Sequence, residues 1–345
     1  MRTIGYICDN VPLELIEAAG FRAHRVSARP VATTALVDRH VKPELPFRAA
    51  RPSLTESILD AILGGRVGPL DHLVIPRGSD PVTEMYVELL LAKRRSPDLP
   101  IPTLHFLDRN VWPSEEARAF NGRAIERLRA QLETWAGGSI DAEKLRETIG
   151  RHNARRARMR AVTDERARVD RDVAGSAALA AYAMETPRLP DSPAGARRLR
   201  LFLGGSEVGD ASIYRWLEDH DATVVAEDHG LGQRLGEADA DADEEGCPFA
   251  AIAARFDKMP GWSASMPLAE RARQTVRRAT TAHADAAILY VHRHDRLAAW
   301  EAPTLKDALA DAGIPTLLIN EASGDPDLDA ESGAAIESFL RENRR

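Results

Sequence analysis

Short apolar runs alternate with helical stretches twice along this chain, and that alternation constrains the fold more than any other feature. In the first part the runs are residues 4–8, 71–75 and 102–107, and residues 22–26 read as a second strand after the first helix. In the second part the runs are 199–203, 223–226, 287–291 and 316–319. Runs this short and this apolar read as strands covered on both faces, which is the habit of parallel sheets. Between them lie helical stretches at 13–19, 54–63, 82–93, 213–219, 305–312 and 331–342. Pro12 stands before the first of these and Gly20 just after it, the usual punctuation of a helix. Strands alternating with helices imply an α/β protein with Rossmann-like, parallel-sheet lobes.

Residues 114–190 differ. Glu115 and Glu116 open a long Arg- and Ala-rich helical stretch, Gly137 and Gly138 break it, and a second helix spans about 141–168. The segment 187–195, PRLPDSPAG, reads as a linker. The expected organisation is therefore an N-terminal α/β lobe over 1–113, a helical segment over 114–190, and a C-terminal α/β lobe over 196–345. Residues 237–245, EADADADEE, read as an exposed acidic loop.

Composition excludes several function classes. The 46 basic against 53 acidic residues leave a net charge of -7, which argues against a nucleic-acid binder. The run Arg155, Arg156, Arg158, Arg160 has acidic neighbours and reads as a solvated helix face. No apolar run reaches the length of a transmembrane helix, and the first residues enter a strand-like run directly, so neither a membrane partner nor a secretory leader is expected. Two cysteines, Cys8 and Cys247, make no disulfide framework and fit a reduced, cytoplasmic compartment.

In open α/β sheets, ligands sit beyond the carboxyl ends of the strands. Four loops stand there: Cys8-Asp9-Asn10, Arg77-Gly78-Ser79-Asp80, Gly204-Gly205-Ser206 and His292-Arg293-His294-Asp295. The Gly204-Gly205-Ser206 turn can bring backbone N–H groups close to a phosphate or thioester oxygen, or serve as a tight strand-to-helix turn. It carries neither nucleotide-binding glycine signature, and there is no G-x-S-x-G elbow for a serine hydrolase. His292, His294 and Asp295 have metal-ligand chemistry, but no third distant ligand is identifiable. Ser79 beside Asp80 fits a helix cap, and Cys8 an inert small residue.

The order of several segments resembles one family. Residues 5–20, GYICDNVPLELIEAAG, are similar to the opening of the 2-hydroxyacyl-CoA dehydratase / benzoyl-CoA reductase family. Residues 71–80 resemble its I-P-x-x-C-D segment, Asn153 with Arg155 and Arg156 its helical N-x-x-R stretch, and 201–206 its strand–Gly–Ser turn. Glu227-Asp228 with Gly232-Gln233-Arg234 resembles E-D-x-x-x-G-x-R, and Gly313-Ile314-Pro315 the G-I-P before the last strand.

The resemblance implies a cytoplasmic protein that pairs with a homologous subunit. Each subunit typically holds a 4Fe–4S cluster through cysteines. An ATP-dependent activator supplies a low-potential electron, and a coenzyme A thioester is dehydrated or reduced. This sequence departs from that pattern at the ligand positions: Leu45, Ser79 and His294 stand where the family has cysteine. Cys8 matches a family cysteine that is generally not a ligand, and Gly230 replaces another. The expectation is a chain with no conventional cluster of its own, serving beside a cluster-bearing partner. Its candidate acyl-CoA-binding residues are Gly204, Gly205, Ser206, Asp228, Gly232 and Arg234, with Asp228 pairing Arg234 as the purely structural alternative. A stand-alone acyl-CoA or small-ligand binding protein, and a mononuclear metal enzyme built on His292, His294, Asp295 and loop residues from Ser79-Asp80, are the other readings.

Overall fold

The computed structural model describes residues 1–28, 34–41, 53–78, 80–110, 114–189, 198–242, 246–259, 266–292, 295–322 and 330–344. Leu45, Ser79 and His294, and most of the expected linker, lie outside them. In chain order the elements are β1 (Thr3–Tyr6), α1 (Leu13–Ala18), β2 (Arg22–Arg25), α2 (Ala35–His40), α3 (Ser53–Leu63), β3 (His72–Pro76), α4 (Asp80–Arg95), β4 (Thr103–Leu107), α5 (Glu115–Ala136) and α6 (Ala142–Ala167). There follow α7 (Gly175–Ala183), β5 (Leu199–Gly205), α8 (Ser212–Asp219), β6 (Ala222–Glu227), a 3-10 turn (Gln233–Gly236), α9 (Pro248–Lys258), α10 (Leu268–Thr281), β7 (Ala286–His292), α11 (Arg296–Asp311), β8 (Thr316–Ala322) and α12 (Ala330–Asn343).

The strands form two four-stranded, wholly parallel sheets, ordered β2-β1-β3-β4 and β6-β5-β7-β8. The expected α/β class with two Rossmann-like sheets is what the chain adopts. The two orders are the same permutation, so each sheet has one point where successive connections leave in opposite directions: between β1 and β3, and between β5 and β7. Such points open a crevice beyond the strands' carboxyl ends.

Contacts divide the chain into two units, Met1–Ala154 with Ala238–Ser265, and Arg155–Glu237 with Met266–Arg345. The helical stretch is thus shared: α5 and the first part of α6 pack with the first sheet, while the rest of α6 and α7 pack with the second.

Alternation along the central strands builds a core on each sheet face. In the second unit Leu201, Leu203, Ile288 and Tyr290 enter one core with Tyr182, Tyr214 and Ile336. Phe202, Ala287, Leu289 and Val291 enter the other with Ala302, Leu305 and Leu309. In the first unit Ile4 and Val74 pack with Leu128, Leu132 and Ile252. Leu73 and Ile75 pack on the other face with Leu59, Ile62 and Met85. No helix among the described residues is long and apolar enough to cross a membrane.

Three expectations are corrected. The Arg run is a solvated face only at Arg158, which is exposed: Arg155 donates to the Tyr182 and Met184 carbonyls, Arg156 is buried, and Arg160 donates to Gly236 O at 2.7 Å. A guanidinium satisfies carbonyls at helix and loop ends, so these side chains join elements. The stretch 237–245 is not simply an exposed acidic loop, because Glu237 ion-pairs with buried Arg278 and Ala240 is buried. The helix expected at 305–312 begins at Arg296 and runs through Pro303, with Asp295 capping it.

Candidate functional site

The crevice of the second unit is built by three strand ends. The chain turns out of β5 at Gly205, whose φ is +106°. A Cβ there would lie 2.5 Å from Tyr290 O, so only glycine lets β5 run this close to β7. The next residue, Ser206, links the two strand ends. Its N–H donates to Tyr290 O at 2.9 Å, and its hydroxyl accepts from His292 N–H at 2.9 Å and donates to Asp295 Oδ2 at 2.7 Å. The other Asp295 oxygen accepts from Ala298 N–H at 3.2 Å and caps α11. The His292 side chain is buried, and its Nε2 has no hydrogen-bond partner among the described residues. Burial pushes this imidazole down to about 4 against the pull of Asp295 and Glu207, so it stands neutral.

The loop leaving β6 carries the densest charge. Asp228 is buried against Arg271 and Arg278, the latter at 2.5 Å, with Arg234 at 3.8 Å. Burial acts to raise the Asp228 carboxyl, yet these three guanidinium groups hold it at about 2. Arg234 is 3% exposed and donates to Glu207 at 2.8 Å, and Glu207 in turn accepts from Gly230 N–H at 2.6 Å. Arg278 also forks onto both Glu237 oxygens at 2.9 and 3.0 Å. Glu301 on α11 faces Arg271 at 3.7 Å. Burial raises Glu301 to about 7 although Arg271 opposes it.

One residue earlier, Glu227 points to the other side of β6. Arg166 binds it through two hydrogen bonds of 2.6 and 3.0 Å, and Gln233 N–H donates at 2.6 Å. Against the cost of burial, Arg166 keeps this carboxyl below its ordinary range. His229 Nδ1 accepts from Leu231 N–H at 3.3 Å, which leaves Nε2–H to donate to Tyr214 OH at 2.6 Å. Tyr214 donates on to Glu227 at 3.3 Å. Gly232 is required here, since a Cβ would lie 2.2 Å from Glu227 Oε1.

Of the candidate residues, Gly204, Gly205 and Ser206 stand at the crevice between β5 and β7. Asp228, Gly232 and Arg234 shape the adjoining loop after β6. Arg234 is engaged by Glu207 and Asp228, the pairing held as the structural alternative. Sequence reasoning missed Glu207, Arg271, Arg278 and Glu301. The signal that was present is two arginines seven residues apart on one helix, which places them on the same face.

The equivalent strand ends of the first unit are bridged in a similar way: Asn10 Nδ2 donates to Arg77 O at 3.0 Å between the segments after β1 and β3. Cys8 sits beside it with a left-handed backbone, φ +69°, half-buried, while Cys247 is exposed at the start of α9.

The family model for the 2-hydroxyglutaryl-CoA dehydratase D-component matches residues 8–341. No curated protein matches the chain.

Proposed function

Because the chain belongs to the 2-hydroxyglutaryl-CoA dehydratase D-component family, we propose that it is a cluster-degenerate subunit of a heterodimeric 2-hydroxyacyl-CoA dehydratase or benzoyl-CoA reductase-type enzyme, contributing acyl-CoA binding and subunit interface. The observation that carries this reading is the donor set. A cysteine-ligated 4Fe–4S cluster takes three or four thiolates, and this chain has two cysteines. One is half-buried in the segment after β1 and the other is exposed just before α9. Among the described residues no group of three or more His, Cys, Asp or Glu side chains is placed to hold a metal ion. These residues do not fit the cluster that the family implies, and no step of the reading runs through one in this chain. The redox centre is assigned to a homologous partner, with an ATP-dependent activator delivering the electron to that partner.

What this chain offers an acyl-CoA is the crevice between β5 and β7. Gly204, Gly205 and Ser206 line it, and the neutral His292 ring holds Nε2 without a hydrogen-bond partner among the described residues. Asp228, Gly232 and Arg234 act by holding the adjoining loop, with Arg234 fixing Glu207 against Gly230 N–H.

The test is anaerobic purification of the tagged chain from its native host, with mass spectrometry and iron analysis. The expected result is a homologous subunit with intact cluster cysteines, and iron that follows that subunit. Recovery of the chain alone, without iron, overturns the reading in favour of a stand-alone acyl-CoA or small-ligand binding protein. Stoichiometric iron or zinc on the chain alone overturns it in favour of a mononuclear metal enzyme.

A further inference from the structure

Helix α4 has two apolar faces. Val82, Met85, Leu89 and Ala92 are buried against the first sheet. Val87, Leu90 and Leu91 lie on the opposite side, 49%, 43% and 40% exposed. Exposed apolar residues scattered singly need no explanation, but three adjacent ones on one helix do.

Their neighbours give the patch a direction. Glu84, Val87, Leu91 and Arg94 follow one another at spacings of three, four and three residues, the a/d spacing of a helix-packing seam. The order along the seam is acid, apolar, apolar, base, and Glu84 and Arg94 are equidistant from Leu89. A second copy of the same helix, running antiparallel about a two-fold axis at Leu89, therefore sets Val87 against Leu91 and Glu84 against Arg94, twice over. Neither Glu84 nor Arg94 makes an ion pair within the chain among the described residues. A pattern that complements itself under a two-fold rotation is what an isologous contact requires.

We propose that α4 is a self-association surface whose occupant is α4 of a second copy of this chain, antiparallel and centred on Leu89. A single helix pair buries less than the about 1,200–2,000 Å² of stable interfaces. The dimer is therefore weak and concentration-dependent.

Sedimentation equilibrium of the full chain, over about 10–500 µM, tests this. The expected result is a mass rising from monomer toward dimer. Leu91→Glu weakens the association by about a hundredfold. Glu84→Arg and Arg94→Glu each weaken it by about tenfold. An equimolar mixture of those two variants restores it, because one then carries two bases and the other two acids. These positions are on the surface, so thermal unfolding matches the parent chain. A monomer at every concentration overturns the proposal, as does a dimer indifferent to Leu91→Glu. Failure of the mixture to restore association overturns the antiparallel register. A parent chain that is monomeric alone, but loses a different subunit on Leu91→Glu, assigns the face to that subunit instead.

Discussion

Ser206 donates its hydroxyl proton to Asp295 Oδ2 at 2.7 Å while accepting the His292 backbone N–H at 2.9 Å. One side chain thus ties the loop after β5 to the last residue of β7 and to the cap of α11. Asn10 makes the matching tie in the first unit, to Arg77 O. Both lie at the point where the strand order reverses. In each sheet a polar residue just beyond the first strand bridges two diverging connections.

Ser206→Ala removes that bridge without changing the fold. It leaves the buried His292 N–H and one Asp295 oxygen without their partner, a cost of about 1–3 kcal/mol. The Asp295 cap on α11 survives, because its other oxygen still accepts from Ala298 N–H. Calorimetry is expected to show Tm lower by about 2–4 °C for each kcal/mol lost.

Asp228→Asn has a larger effect. Three arginines surround this one buried carboxylate, and removing its charge leaves them only their outer partners Glu207, Glu237 and Glu301, a loss of about 3–5 kcal/mol at pH 7. The folded-state value of about 2 lies below the ordinary 3.8, so the carboxylate stabilises the fold above about pH 4 and stops doing so as pH falls toward 2. Urea unfolding of parent and variant is expected to differ strongly at pH 7 and to converge near pH 2.

The same cluster shows where the sequence was legible and where it was not. The central strands β1, β3, β5 and β7 follow from apolar runs, because both faces of a central parallel strand are buried and no alternation hides it, whereas edge strand β2, RAHR, is half-exposed and carries no such run. Helix α10 gave no such signal. Its inward face carries Arg271, Thr275 and Arg278 among its buried residues, so apolar periodicity fails where the helix meets Asp228. Helix α9 did carry a legible stripe, Phe249, Ile252 and Phe256. Its return to the first unit is a tertiary fact that no local pattern encodes. The crevice glycines were legible as a turn. The contact that makes Gly205 necessary is with Tyr290, eighty-five residues away.

Glycine substitutions separate close approach from mere flexibility. Gly232→Ala puts a methyl within 2.5 Å of three Glu227 atoms, and Arg166 and Gln233 leave Glu227 no room to move. It is expected to cost about 1–3 kcal/mol. Gly205→Ala meets backbone at 2.5 Å and adds left-handed strain, so it costs at least as much. Gly122→Ala, inside α5 with nothing within 4 Å, is expected to stabilise by about 0.5–1 kcal/mol. Denaturant midpoints of the three variants check the order.

Glu301 and His292 give stability opposite pH slopes. Burial raises the Glu301 carboxyl from 4.5 to about 7, so the folded state holds its proton longer than the unfolded chain does. Stability from this group falls as pH rises from about 4.5 to 7, and is flat above that. Burial lowers His292 from 6.5 to about 4, so the unfolded chain takes a proton first. Stability from His292 is fully present above 6.5 and is lost as pH falls toward 4. Between about pH 4.5 and 6.5 the two slopes oppose each other in the parent chain. Glu301→Gln removes one of them. Relative to the parent, the variant is expected to gain stability at pH 8 rather than at pH 4.5, and its own stability is expected to rise more steeply with pH across that window. Urea unfolding at half-unit pH intervals reads this directly. A Glu301→Gln profile parallel to the parent's would mean that Arg271, at 3.7 Å, keeps Glu301 ionised throughout.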